Sequence, residues 1–495
     1  MESLKEKTAK GLFWGGMNNG MQQLIGLVIG IILGRLLTPD DYGMIAMISI
    51  FSLIANELQS SGFKTALVNQ PHPTHEDYNA VFWFNVMAGA VIYVILFFCA
   101  PLIADYYHQP ALVPLCRYAF LSFVFSSFGI AQSAYLTKNL KIKEIAATGI
   151  TAIALSGTVG ALMAWQGFSY WSLATQANLF IAINTVLLWY HSSWRPTMDI
   201  NLRPVRRMFR FSCKIMASAI FTIINANVLN ILLGRYFTPR DTGNYNQAYQ
   251  WNFKCFSVVQ GMMNQVAQPV FVELAGQRDR QRAAFRKMLR FTAFISFPLL
   301  FGLSLVSQEF IVITIGEKWL DSAHLMQILC LGGAVMPLST LMTNMVISHG
   351  RSNIYMWTTL ALGLLQIALM LWLYPYGVRT MVIAYTLLQI VWVAVWWWFV
   401  HRLTGYRFLS LLKDTLPFAG IAAAVMVATH FATLPLHSPI LLLVSRIVLA
   451  ALLYFTVMKL AHAVILEECL GFFRRKNHPG PPEENTHPGP PEGRE

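Results

Sequence analysis

Gly34-Arg35-Leu36-Leu37-Thr38-Pro39-Asp40-Asp41-Tyr42-Gly43 returns about 200 residues later as Gly234-Arg235-Tyr236-Phe237-Thr238-Pro239-Arg240-Asp241-Thr242-Gly243, with Gly, Arg, Thr, Pro, Asp and Gly at matching places. Each copy follows an apolar run, Ile31-Ile32-Leu33 and Ile231-Leu232-Leu233, and opens another helix. Local helix chemistry reads both copies as a tight turn. Gly34 and Gly234 end the first helix, Arg35 and Arg235 face its negative end, Thr38 and Thr238 cap the next, and Pro39 and Pro239 take its first position. Asp41 and Asp241 fall where a carboxylate reaches back to complete a capping box.

The chain on either side of these turns is too apolar for a soluble protein, with 56% hydrophobic and 12% charged residues. Stretches of about 20 apolar residues, enough to cross a ~30 Å hydrocarbon core as helices, recur with short breaks. They fall near 11–35, 42–62, 79–104, 111–136, 144–166, 170–191, 208–234, 242–270, 289–313, 323–348, 353–375, 378–400, 414–434 and 439–465. The expectation is an all-α, polytopic membrane protein of about fourteen transmembrane helices. Spans 144–166 and 414–434 are rich in Ala and Gly and are expected to be buried in the bundle.

An even number of helices separates the two turns, which places both on one side of the membrane. The halves are then parallel repeats about an axis along the membrane normal. This predicts two pseudo-symmetric lobes of about six helices each, 1–191 and 200–401, with a substrate path between them and a further helix pair at 414–465. Lys and Arg gather in the loops on the side away from the turns, as in Lys138, Lys141, Lys143, Arg203, Arg206, Arg207, Arg278 and Arg280, so both termini are expected in the cytoplasm. The net charge of +13 sits beside the spans, where anionic lipid headgroups rather than nucleic acid are the expected partner.

The charged lead Met1 to Lys10 and the long apolar run after it read as a signal anchor. The six cysteines show no pairing or metal-ligand spacing, and neither metal nor cofactor is expected. Beyond Phe473 the composition shifts to Pro, Gly, Glu and His, with a hexapeptide at 478–483 repeated at 487–492, and 474–495 reads as a disordered cytoplasmic tail.

Several segments carry a family resemblance: Ser3-Leu4-Lys5-Glu6-Lys7-Thr8, the stretch Gly34 to Gly43, Ser61-Gly62-Phe63 with Val68-Asn69-Gln70, Gly243-Asn244-Tyr245-Asn246-Gln247-Ala248-Tyr249, and Gly316-Glu317-Lys318-Trp319. Together they resemble the Wzx-type polysaccharide exporters, nearest to the colanic-acid exporter type, within the multidrug/oligosaccharidyl-lipid/polysaccharide superfamily. The resemblance implies a non-enzymatic flippase of the bacterial inner membrane that moves an undecaprenyl-pyrophosphate-linked oligosaccharide to the outer leaflet. A cation-coupled drug exporter of the same superfamily and a membrane-embedded polymerase or glycosyltransferase are the alternatives. The first favours acidic lumen residues, and the second finds no loop of catalytic size or phosphate-binding motif here.

An ionisable group inside a span costs roughly 2.5–3.5 kcal/mol on insertion scales and usually faces a cavity or a partner. Glu57, Arg117, Lys214, Lys254 and Arg446 are such groups. A cationic lumen suits an anionic pyrophosphate headgroup, and Lys254, about twelve residues into its helix, is placed near the midplane. Lys214, Arg117 and Arg446 lie close to helix ends, where snorkelling explains Lys214 as well as a lumen role does and explains Arg117 and Arg446 better. Glu57 can bind a coupling proton or cation, or pair with a nearby base. Amides are more numerous: Asn18, Asn19, Gln22 and Gln23 in the first helix, Asn225, Asn227 and Asn230 in the seventh, and Asn246, Gln247, Gln250, Asn252, Gln260, Asn264 and Gln265 in the eighth. They suit sugar hydroxyls or bonds between helices, with Asn225 and Gln250 taken as substrate-binding candidates. Trp396-Trp397-Trp398 is open to two readings in the same way, interfacial anchoring being the default. The sequence predicts that Lys254→Ala impairs transport while expression and insertion stay intact; normal export by that variant removes the residue from the site.

Overall fold

The computed structural model describes residues 4–60, 63–461 and 465–467, with side chains from residue 20 onward except 59–60, 204 and 206–219. Among these residues every element is an α-helix or a short 3-10 turn. The first half comprises α1 (Leu4–Leu36), α2 (Pro39–Ser60), α3 (Phe63–Asn69), α4 (His75–Tyr107), α5 (Leu112–Ala119), α6 (Leu121–Ser127), α7 (Ile130–Lys138), α8 (Ile142–Trp165) and α9 (Trp171–His191). The second comprises α10 (Arg203–Tyr236), α11 (Pro239–Glu273), α12 (Arg278–Leu305), α13 (Ser307–Thr314), α14 (Leu320–Gly333), α15 (Met336–Ser348), α16 (Ser352–Leu373) and α17 (Val378–Thr404). Last come α18 (Phe408–Ala432) and α19 (Pro439–Leu460). The tail at 474–495 lies outside the described residues.

Each expected span falls on a helix or a broken helix, and among the described residues ten helices are long and apolar enough to cross a membrane, or eleven if the pair from Leu112 to Lys138, bent by 41°, is one span. For α1 and α10 the described side chains begin only at Gly20 and Ile220, and the parts they cover, Gly20–Leu36 and Ile220–Tyr236, are apolar. Helix α11 carries too many amides along its length.

The repeated turns have the capping chemistry expected of them. The Thr238 hydroxyl accepts from the Asp241 amide at 3.1 Å and the Thr238 amide donates back to the Asp241 carboxylate at 3.2 Å. Thr38 and Asp41 repeat the pattern at 3.4 and 2.8 Å. The glycines and arginines behave differently from the local reading. Helices α1 and α10 run past Gly34 and Gly234 to Leu36 and Tyr236, so neither glycine ends its helix. Each instead permits contact with the other half: a Cβ on Gly34 would stand 2.6 Å from Ile315, and one on Gly234 would stand 2.8 Å from Tyr107 and 2.9 Å from Met47.

Arg35 likewise reaches across the molecule. Its Nε donates to the Thr314 carbonyl at 2.7 Å and its Nη2 to that of Ile313, satisfying carbonyls at the end of α13. Arg235 does the same for α4, bonding the Tyr106 carbonyl and the His108 ring. A guanidinium at a helix C-terminus meets both free carbonyls and the negative dipole end. The helix being capped is the third span of the opposite half, not the arginine's own. Gly316-Glu317-Lys318-Trp319 completes this clasp: Gly316 turns the chain at φ 102°, Lys318 Nζ donates to the Arg35 carbonyl at 2.7 Å, and Trp319 Nε1 donates to the Gly34 carbonyl at 2.8 Å.

Between the two halves, at the same end as the clasp, the first turns of α2 and α11 meet backbone to backbone. A Cβ on Gly43 would lie 1.8 Å from the Pro239 carbonyl oxygen, and one on Gly243 would lie 1.8 Å from that of Pro39. No side chain fits there, and the glycine Cα hydrogens face carbonyl oxygens in the manner of weak interhelical hydrogen bonds.

Small residues also dock α8, where a Cβ on Gly157 would come within 2.0 Å of Ile29 and one on Gly149 within 2.3 Å of Gln22. Helices α8 and α18 are nevertheless buried on one face only. Leu155, Leu162, Leu416 and Phe431 remain exposed to the surroundings, so the expectation of full burial gives way to one close-packed face and one lipid-facing face.

Replacing Gly43 or Gly243 by Ala must separate α2 from α11 and is expected to cost about 1–3 kcal/mol or more. Gly30→Ala, with nothing within 4 Å of its Cβ, serves as control and is expected to be neutral or slightly stabilising. Thermal unfolding in detergent checks this, and equal melting of all three variants would contradict the crossing.

Candidate functional site

A cavity of about 790 Å³ lies between α2, the α5–α7 segment and α9, with α10 and α11 contributing Asn227, Asn246 and Gln250. Along α2 its wall runs from Tyr42 to Asn56, roughly 21 Å at ~1.5 Å per residue. Asn178 and Asn184 of α9 and Asn227, Asn246 and Gln250 of α10 and α11 add amides. Lys64, at the start of α3, is the one charged residue on this wall among the described residues. A second cavity of about 490 Å³ lies on the other side of α11, among α10, α14, α15, α16 and α17. Helix α11 is therefore a partition, with Asn246 and Gln250 facing one chamber and Tyr249, Asn252 and Phe253 the other.

The amides divide between the two uses left open by the sequence. Gln250 is exposed on the first wall. Asn225 lines the second cavity, but its Nδ2 also donates to the Thr359 carbonyl at 2.6 Å, fastening α10 to α16. Gln260 bonds Thr340 at 2.7 Å, and Asn264 accepts from Asn344 at 2.9 Å, which zips α11 to α15. Asn18 and Asn19 lie outside the described side chains.

The ionisable candidates are not gathered in one place. Lys254 is exposed one helical turn beyond Gln250, its Nζ 4.4 Å from the Trp251 ring centre, and it belongs to neither cavity wall. Arg117 is half-buried with its guanidinium 4.2 Å from the Phe97 ring centre, a cation–π contact away from both cavities. Glu57 is half-buried next to Asn56 of the first wall. Lys214 falls on the part of α10 whose side chains lie outside the described residues.

Arg446 is a partner in a buried ion pair rather than a lumen cation. It meets Glu309 at 2.8 Å, with side-chain exposures of only 9% and 14%, and also the Leu305 carbonyl and Thr433 hydroxyl. This pair pins α19 to α13. Asp414, 2% exposed, pins α18 to α12 through Arg286 at 2.6 Å and accepts from Tyr406 at 2.8 Å. Burial and the Asp414 carboxylate raise the Tyr406 phenol well above its ordinary pKa, which keeps it a donor.

Lys64 is a wall residue that the sequence reading does not single out, because a lysine between two apolar spans looks like any other basic loop residue. Its place beside Phe63, within a segment shared with the exporters, was the available signal. Phe63 is fully buried and holds the start of α3 against α4 and α7.

Residues 32–324 match a family model described as polysaccharide biosynthesis protein. The chain is similar to the lipopolysaccharide biosynthesis protein WzxC of Escherichia coli (strain K12), 26% identical over 71% of this chain and 72% of that protein. It is also similar to the teichuronic acid biosynthesis protein TuaB of Bacillus subtilis (strain 168), 25% identical over 86% of this chain and 89% of the relative. Among solved structures, the lipid II flippase MurJ in an inward closed conformation superposes with a TM-score of 0.71 at 12% identity, over 91% of this chain and 99% of that one. An inward-facing multidrug resistance MATE family transporter of the MOP superfamily reaches 0.60 at 14% identity, over 81% of this chain and 95% of that one.

Because Arg446 and Glu309 neutralise one another, Arg446→Met or Glu309→Gln alone is expected to cost about 3–5 kcal/mol of stability. The double variant should recover part of that loss in a double-mutant cycle. Strictly additive losses in melting experiments would show that the pair carries no coupling.

Proposed function

Since the chain belongs to the polysaccharide biosynthesis protein family, we propose that it is a lipid-linked oligosaccharide flippase that carries undecaprenyl-pyrophosphate-linked repeat units across the bacterial inner membrane, a transporter and not an enzyme. The observation that carries this reading is the first cavity, long, carrying six amides and, among its described lining, a single positive charge at Lys64. Amides donate to and accept from sugar hydroxyls, and a lysine replaces part of the hydration that a pyrophosphate loses. A drug exporter working on cations would call for an acidic wall, and the described lining of this cavity has no carboxylate.

The basic loops orient both termini toward the cytoplasm, which turns the clasp outward. The lobes are 1–191 and 200–401, and they rock about the glycine crossing so that the cavity opens first to one side and then to the other. The prenyl chain stays in lipid while sugar and phosphates pass. Glu57, beside the wall, is the site of a coupling proton or cation.

Purified protein in proteoliposomes, given a labelled undecaprenyl-pyrophosphate oligosaccharide, is expected to move it between leaflets faster with an imposed ion gradient. Lys64→Ala should lower the flux roughly tenfold, about 1.4 kcal/mol of barrier, and Glu57→Gln should remove the gradient dependence. Export of small organic cations with no lipid movement would overturn the reading.

A further inference from the structure

Residues 192–202, which join α9 to α10, form no regular element, yet they are strapped to the first turns of α4. Asn79 holds the strap at two points, accepting from the Thr197 amide at 2.9 Å and donating to the Asp199 carbonyl at 2.6 Å. The chain bends at Met198, between those two contacts, which turns the Met198 side chain outward. Trp83 Nε1 donates to the Thr197 carbonyl at 2.7 Å, and the His75 ring meets the Thr197 hydroxyl at 3.2 Å and the Trp194 indole nitrogen at 3.1 Å. Held in this way, the strap shows apolar side chains to its surroundings: Met198 is 84% exposed, Ile200 is 52% exposed, and Leu202 is exposed as well. A row of apolar side chains held outward marks an interaction surface.

The depth of the strap and its charge identify the partner. Helix α4 has 33 residues, roughly 50 Å at ~1.5 Å per residue, and so overshoots a ~30 Å hydrocarbon core. Its polar start, His75-Glu76-Asp77, stands outside that core, and Asn79 to Trp83 lie at its edge. Trp83 is one turn before Met87 on the stripe Met87, Val91, Phe98 and Leu102 that α4 exposes to lipid, so the strap is fastened on a lipid-facing side. Trp189 and Tyr190, in the last turn of α9, are the residue types that gather at a membrane interface. Arg195, fastened by Nη1 to the Trp194 carbonyl at 2.9 Å, and Arg203 are exposed on either side of the apolar row. Arg206, Arg207 and Arg210 follow in the sequence, and Asp199 is the one acidic residue between 192 and 210. Apolar side chains bracketed by arginines at this depth suit the headgroup boundary of an anionic lipid surface.

We propose that the strap between α9 and α10 is a membrane-surface anchor: Met198, Ile200 and Leu202 enter the boundary between headgroups and acyl chains of an anionic leaflet, and Arg195 and Arg203 pair with its phosphates. The anchor fastens the connection between the two halves to the plane of the membrane and, through Asn79 and Trp83, to α4. Nothing in it depends on what is transported, so it goes beyond the flippase reading and stands or falls separately from it.

Full-length protein without its native cysteines, carrying Met198→Cys or Ile200→Cys labelled with bimane and eluting as a single species, is placed in nanodiscs of phosphatidylcholine alone or mixed with phosphatidylglycerol. Phospholipids brominated near the top of the acyl chain and aqueous iodide serve as the two quenchers. In the anionic discs both positions are expected to be quenched about twofold or more by brominated lipid and little by iodide. His72→Cys, exposed in the turn before α4, should show the reverse. Arg203→Gln should lower the lipid quenching at Met198→Cys toward its value in neutral discs. Iodide quenching at both strap positions equal to that at His72→Cys would place the strap in water and overturn the anchor. Shielding from both quenchers would overturn it in favour of a protein contact, such as a second copy in the disc, and equal lipid quenching in neutral and anionic discs would overturn the anionic partner.

Discussion

Two helix N-termini are held closer in this protein than any side chain would allow. With a Cβ on Gly43 or Gly243 only 1.8 Å from the opposite proline carbonyl, α2 and α11 touch through backbone alone at one end of the bundle. The larger cavity lies beside this crossing, walled by α2, the α5–α7 segment and α9, with Asn246 and Gln250 of α11 completing it. The reciprocal clasp holds the same end shut: each half lends an arginine to the third span of the other, and Trp319, fully buried, donates to the Gly34 carbonyl. The turn is thus repeated because the contact is mutual: each copy supplies a glycine and a proline carbonyl to the other copy, and an arginine to the third span of the other half.

Local chemistry was legible in advance, and long-range chemistry was not. Thr38, Thr238 and their aspartates act within four residues, so the sequence discloses their caps. Arg35 acts on Ile313 and Thr314, and no local reading can find a partner that far along the chain. Arg446 was open to a lumen role for the same reason, since Glu309 lies in another helix. The helical spans were legible from apolarity except where function dilutes it: α11 has the amides of a cavity wall and so reads weakly as a membrane segment. Lys64 and Lys254 exchange prominence, because depth along a helix can be counted from sequence whereas the direction a side chain faces cannot.

The two chambers differ in charge: among the described residues the first wall carries one lysine among its amides, and the second carries no charged side chain. The ion pairs at Arg446 and Asp414 hold α18 and α19 to the second half outside both chambers.

Locking the clasp tests the account most directly. Arg35→Cys and Lys318→Cys, in a background without the six native cysteines, would be joined across the halves by a short reducible bis-thiol reagent, and transfer of undecaprenyl-pyrophosphate oligosaccharide between leaflets would be followed before and after reduction. The account predicts no transfer while the link holds and recovery once it is cut; transfer at an undiminished rate through the linked protein would contradict it.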